Sequence, residues 1–155
     1  MALKTATWVH GNALTVVAPN SVDQIMHEGS GTIVDIRSGT QPWFHIPIST
    51  PVLINNVRSQ LFRVFILFQT RPGDGIITDV WVYDGESLIH QFTNLSLEGA
   101  HASGLDSANM FVLPAPHSVS FGIGISFRFA ASTPIDGPEQ LFRIFIATAG
   151  ADFNM

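Results

Sequence analysis

Over most of this chain apolar and polar positions alternate with a period of two, the spacing of a β-strand with one face on a core. The clearest case is 119–129. Val119, Phe121, Ile123, Ile125, Phe127 and Phe129 form an apolar face, with Ser120, Gly122, Gly124, Ser126 and Arg128 opposite. Residues 43–48, WFHIPI, set Phe44, Ile46 and Ile48 against Trp43, His45 and Pro47. Proline cannot donate to a ladder, so Pro47 predicts an edge strand or a bulge. Residues 61–69 are apolar on both faces, as in a central strand covered from both sides. Further strands are predicted at 5–17 (broken at His10-Gly11-Asn12), 32–37, 51–55, 76–83, 88–92, 110–113 and 141–148. Ser21-Val22-Asp23-Gln24 has the form of a capping box and predicts one helical turn through Met26. Residues 93–109 show little periodicity and are the longest candidate loop, a place where function often sits. Eight to ten strands with at most one helical turn predict an all-β fold: an antiparallel β-sandwich of jelly-roll type, with a closed barrel as the structural alternative.

The pattern also repeats. Residues 60–66, QLFRVFI, recur as QLFRIFI at 140–146, with Val64 replaced by Ile144. Ser49-Thr50-Pro51 recurs as Ser132-Thr133-Pro134, and Trp8-Val9 as Trp81-Val82, in the same order along the chain. Two halves, 1–70 and 75–153, are therefore expected to carry matching strands within a single domain, 1–155, with pseudo-two-fold symmetry. The period is too long for a solenoid unit.

Composition adds a partner and removes several. Charged residues make up 12% of the 155, about half the usual ~25%, and Lys4 is the one lysine. A surface so short of charge leaves sheet edges unguarded, which predicts a homo-oligomer or polymer. Its contact would include the small polar face Ser120, Gly122, Gly124 and Ser126, or the edge strand at 43–48. The net charge of −5 and six scattered arginines argue against nucleic acid. Without cysteine there are no disulfides and no thiolate metal sites. No signal-peptide pattern opens the sequence and no run of about 18 apolar residues occurs, so no membrane span is expected and the compartment stays open, cytoplasmic by default.

Three strands place a Trp two residues before a polar ring: Trp8-x-His10, Trp43-x-His45 and Trp81-x-Tyr83. Positions i and i+2 share a strand face, so each pair presents a flat ring beside a hydrogen-bonding one. That suits a glycan, a small aromatic ligand or a partner chain; core packing with each polar atom satisfied locally is the alternative. Arg63 and Arg143 hold equivalent places in the repeat, within apolar strands. Such arginines need a carboxylate or several carbonyls, and Asp35 and Asp79 are the expected structural partners. The six histidines lack any His-x-His or His-Glu-x-x-His pattern, and no nucleophile or phosphate-loop motif is present. No cofactor is expected.

The segments WVHGNALTV, PWFHIPISTPV and VWVYDG together resemble a family of small uncharacterised bacterial all-β proteins, a domain of unknown function, over most of the chain. The resemblance implies no activity and no catalytic residues. The leading expectation is a non-enzymatic, self-associating structural or binding module. A lectin-like glycan or small-ligand binder is the first alternative, and a small metal-dependent enzyme using His10, His45 and His101 is the second.

Overall fold

The computed structural model describes residues 4–134 and 137–155; the first three residues of the N-terminal segment read for a signal lie outside them. The described chain is all β. In order it forms β1 (Lys4–His10), β2 (Thr15–Val16), β3 (Val22–Glu28), β4 (Gly31–Arg37), β5 (Trp43–Pro47), β6 (Leu53–Ile54), β7 (Val57–Arg58), β8 (Gln60–Thr70), β9 (Gly75–Asp84), β10 (Ser87–Phe92), β11 (Ala100–His101), β12 (Met110–Ser118), β13 (Ile123–Ala131) and β14 (Leu141–Asn154). Every pairing is antiparallel. One sheet has seven strands, ordered β11-β8-β14-β4-β3, with β1 also on β14 and β12 also on β8. A second has five, ordered β10-β9-β13-β5-β2, and β6-β7 form a small ribbon. Neither large sheet closes into a barrel. Among the described residues no helix is long and apolar enough to cross a membrane.

Both large sheets contribute to one buried apolar cluster. Val34, Ile36, Val64, Ile66, Phe68, Ile144 and Ile146 come from the seven-stranded sheet; Phe44, Ile46, Val80, Val82, Ile125 and Phe127 come from the five-stranded one. Phe44 and Phe127 stack directly, with ring centroids 5.3 Å apart. β14 is longer than its sequence pattern predicts. A register shift between Ile146 and Thr148 moves its buried set from Phe142, Ile144 and Ile146 to Ala149, Ala151 and Phe153. Such a bulge flips the side on which alternate residues point, so a strict period of two ends where the strand does not. The two-sided apolar character of β8 also has a cause. On its outer face Phe65 is covered by Trp8, stacked at 5.2 Å. Gly150 lies between them in register, and a Cβ there would meet the Trp8 ring at 2.9 Å.

Several expectations are corrected. The Ser21 capping box starts no helix: Pro19–Ser21 is a single 3-10 turn, and Val22–Glu28 is the edge strand β3. Pairing with β4, Ile25 opposite Val34 and Met26 opposite Ile33, overrides the local signal. The strand expected at 119–129 begins only at Ile123, and Phe121 lies outside it, 76% exposed. Trp8 and Trp81 are not equivalent, because β1 belongs to the seven-stranded sheet and β9 to the five-stranded one. The 93–109 loop is braced from within. The buried Asn109 side chain donates to the carbonyls of His101 and Gly104, and the His101 ring pairs with Asp106 at 2.6 Å. Pro47 behaves as expected. Ile48 N–H donates to Ile123 O at 2.9 Å, so by alternation the nitrogen of Pro47 faces away from β13, beyond the two residues that β2 covers.

Candidate functional site

The outer face of the five-stranded sheet gathers Trp43, His45, Asp79, Trp81, Tyr83, Gly124 and Ser126 of the residues singled out by the sequence. β13 runs between β9 and β5, and its outward residues each face one residue on either side. Gly124 lies opposite Tyr83 and Pro47, Ser126 opposite Trp81 and His45, and Arg128 opposite Asp79 and Trp43. Small residues on the middle strand and large rings on its neighbours make a trough. It is an open groove of about 450 Å³ lined by His45, Pro47, Tyr83, Glu86, Gly124 and Ser126, with Gly85 at its mouth.

The two tryptophans stand in the same rows, beside the groove. Their ring centroids are 4.7 Å apart although they stand on β5 and β9, so they meet across β13. The Arg128 guanidinium lies 5.6 Å from the Trp43 ring centroid and pairs with Asp79 at 2.6 Å. Trp43 and Trp81 therefore buttress each other outside the lining, and the groove is lined by the polar rings two residues on, His45 and Tyr83. The Nδ1 of His45 and the hydroxyl of Ser126 are 2.5 Å apart, within hydrogen-bond distance. Burial lowers the His45 pKa below its ordinary value of 6.5, which keeps the ring neutral at pH 7.

One end of the groove is shaped by Asp84. Its carboxylate accepts the backbone N–H groups of Ser120 (2.7 Å), Phe121 (2.8 Å) and Gly122 (3.0 Å), and His117 Nε2 stands 3.0 Å away. Burial alone would raise its pKa; those donors outweigh it and lower the pKa from 3.8 to about 2. This cradle fixes the turn that holds Phe121 against Gly85 at the groove's mouth. Ser120 belongs to the turn, exposed and off β13, so the predicted face Ser120-Gly122-Gly124-Ser126 is not one flat surface.

Gly124 has no structural reason to be glycine. Its φ is not positive, and a Cβ there would have nothing within 4 Å. In a strand interior glycine costs about 0.5–1 kcal/mol relative to alanine, and here it keeps the groove floor open.

The remaining predicted residues lie elsewhere. Trp8 is on the opposite sheet, and the His10 ring is held at 3.0 Å from Gly29 O and accepts from Asn12 N–H. Arg143 pairs with Asp35 through two contacts of 2.7 and 3.0 Å, as expected. Arg63 takes Asp152 at 2.6 Å instead of Asp79, whose partner is Arg128. Asp152 escaped notice because it lies past the β14 bulge, and Arg128 because it reads as one residue of a polar face. His10, His45 and His101 sit on β1, β5 and β11 and do not come together. Among the described residues no three His, Cys, Asp or Glu side chains are grouped to hold a metal ion. Glu86 was also missed; it follows the Asp84-Gly85 turn, and only the β9–β10 hairpin brings it to the groove.

No curated protein matches the chain. A family of unknown function (DUF6623) matches residues 1–146, and the chain belongs to that family.

Proposed function

We propose that this chain is a non-enzymatic binding module whose working surface is the outer face of the five-stranded sheet. The observation that carries this reading is the groove itself: His45, Tyr83, Glu86 and Ser126 converge on an open floor at Gly124, where no packing demand calls for glycine. A non-enzymatic role is supported by the setting of Ser126 and His45. Ser126 lies in the middle of a strand paired on both sides, so neighbouring N–H groups are committed to ladders and leave no donors for a developing oxyanion. The test is binding of small probes to the wild type and to Gly124→Val. The variant should keep the fold and lose the binding.

The architectural reading is a single-domain β-sandwich of jelly-roll type. It is supported by the order β12-β8-β14-β4 in one sheet and β10-β9-β13-β5 in the other, two four-stranded orders between which the chain crosses repeatedly, as the double sheet of a jelly roll does. An internal duplication is supported by the repeated segments lying side by side. β5 and β13 pair with Phe44 opposite Phe127, and β8 and β14 pair with Leu67 opposite Thr148, the side-by-side placement that a two-fold axis through both sheets would produce.

Self-association is the second reading. β10, SLIHQF, is an outer strand without a formal charge, and Leu88 on it is 42% exposed. Uncharged edges of this kind pair with other chains. Sedimentation at tens of micromolar should give a mass above the monomer, and Leu88→Lys should return it to the monomer. A monomeric wild type removes this reading and leaves the groove untouched.

A further inference from the structure

We propose that the groove over Gly124 takes a neutral saccharide, one sugar ring lying across Gly124 between Tyr83 and Pro47, a proposal that rests on the reading of this face as the working surface. The first argument is width. Tyr83 and Pro47 lie on the strands either side of Gly124 and directly opposite it, two strand spacings or about 10 Å apart. With the bulk of the two wall side chains subtracted, that leaves a slot for a single ring rather than a helix or a folded loop.

The second argument is chemistry. A sugar presents hydroxyls around its edge and C–H groups on its faces. The groove offers both complements: the Tyr83 and Pro47 rings as apolar walls, and His45, Ser126 and Glu86 as hydrogen-bonding groups along the same floor and rim. The third is charge. The lining holds one carboxylate, Glu86, and no lysine or arginine, on a chain of net charge −5, so a phosphate or carboxylate ligand is repelled. A carboxylate accepting from two hydroxyls is a strong pairing for a neutral polyol. The fourth is preorganisation. The Asp84 cradle fixes the turn at 120–122 and holds Phe121, 76% exposed, at the groove's mouth, where a second sugar unit would meet it.

The probes are a panel of neutral mono- and oligosaccharides (hexoses, pentoses, and their α- and β-linked oligomers), with a sialic acid and a sugar phosphate as charged controls, titrated by calorimetry against the full chain. At least one neutral member should bind and the charged controls should not. Glu86→Gln should weaken that binding by about tenfold or more, as expected for loss of a charged acceptor. Gly124→Val should abolish it without lowering the melting temperature. Binding that survives Gly124→Val, or a panel in which only the charged members bind, overturns the proposal. If no saccharide binds, the proposal fails as well, and two further probes separate that failure from failure of the groove reading. A short extended peptide library or an apolar dye that binds the wild type but not Gly124→Val leaves the groove standing with another occupant; no probe sensitive to Gly124→Val removes both.

Discussion

Asp84→Asn should destabilise the protein by about 2.5 kcal/mol at neutral pH, and the loss should vanish in acid. The Asp84 side chain is 3% exposed and accepts three backbone N–H groups of the 120–122 turn, with His117 as a fourth neighbour. These donors favour the ionised form and hold its pKa at about 2 instead of 3.8. At about 1.36 kcal/mol per pH unit, that depression amounts to about 2.5 kcal/mol of folding stability. Because the folded pKa is the lower one, the contribution is complete above the unfolded value of 3.8 and is lost as pH falls through about 2. Asparagine has nearly the same shape but no charge, and turns an amide toward donors that need an acceptor. Urea midpoints for wild type and variant, measured from about pH 7 down to about pH 2.5, give the two stability curves. They should lie about 2.5 kcal/mol apart at the upper end, with melting temperatures differing by about 5–10 °C, and should draw steadily together below about pH 4, to within about 1 kcal/mol at the lower end. A gap under about 1 kcal/mol at neutral pH, or one of constant size throughout, would refute the claim that the carboxylate charge braces this turn.

Phe127→Ala should cost about 3–5 kcal/mol, since the ring is fully buried and stacked on Phe44; denaturant unfolding measures it. Phe121→Ser, at a ring 76% exposed, should leave the unfolding midpoint within about 0.5 kcal/mol of wild type while weakening any ligand that reaches the groove's mouth. Trp43→Ala should lower the melting temperature as well as binding, because it removes the wall on which both Trp81 and Arg128 rest. A variant that loses binding with an unchanged melting temperature would instead make Trp43 a ligand contact.

The sequence made the strands legible wherever one face met the core in strict alternation, as in β13 from Ile123 onward and in β5. It hid what depends on a break in alternation or on a distant neighbour. The β14 bulge at Ile146/Thr148 switches the buried set, so the second half of the strand, with Asp152, lay beyond the predicted strand at 141–148. Phe121 carried the right spacing for the core, yet Asp84 captures the N–H groups of 120–122 and turns the chain out of the sheet before Ile123. The capping box at Ser21 was a correct local signal overridden by pairing with β4. At the groove, the rings at i and i+2 were visible as pairs. Which member lines the groove was not, because that depends on Trp43 and Trp81 meeting across β13. Nor could the sequence join Gly124 to Tyr83 and Pro47, which only the registers of three strands bring into one row.

Amide chemical-shift mapping of the uniformly labelled protein, titrated with the saccharide panel and with the peptide and apolar probes, tests the central claim most directly. The account predicts perturbations at 45–47, 83–86 and 121–126, absent in Gly124→Val. Shifts centred instead on the opposite sheet, around Trp8, Phe65 and Met110, or shifts unchanged by Gly124→Val, would contradict it.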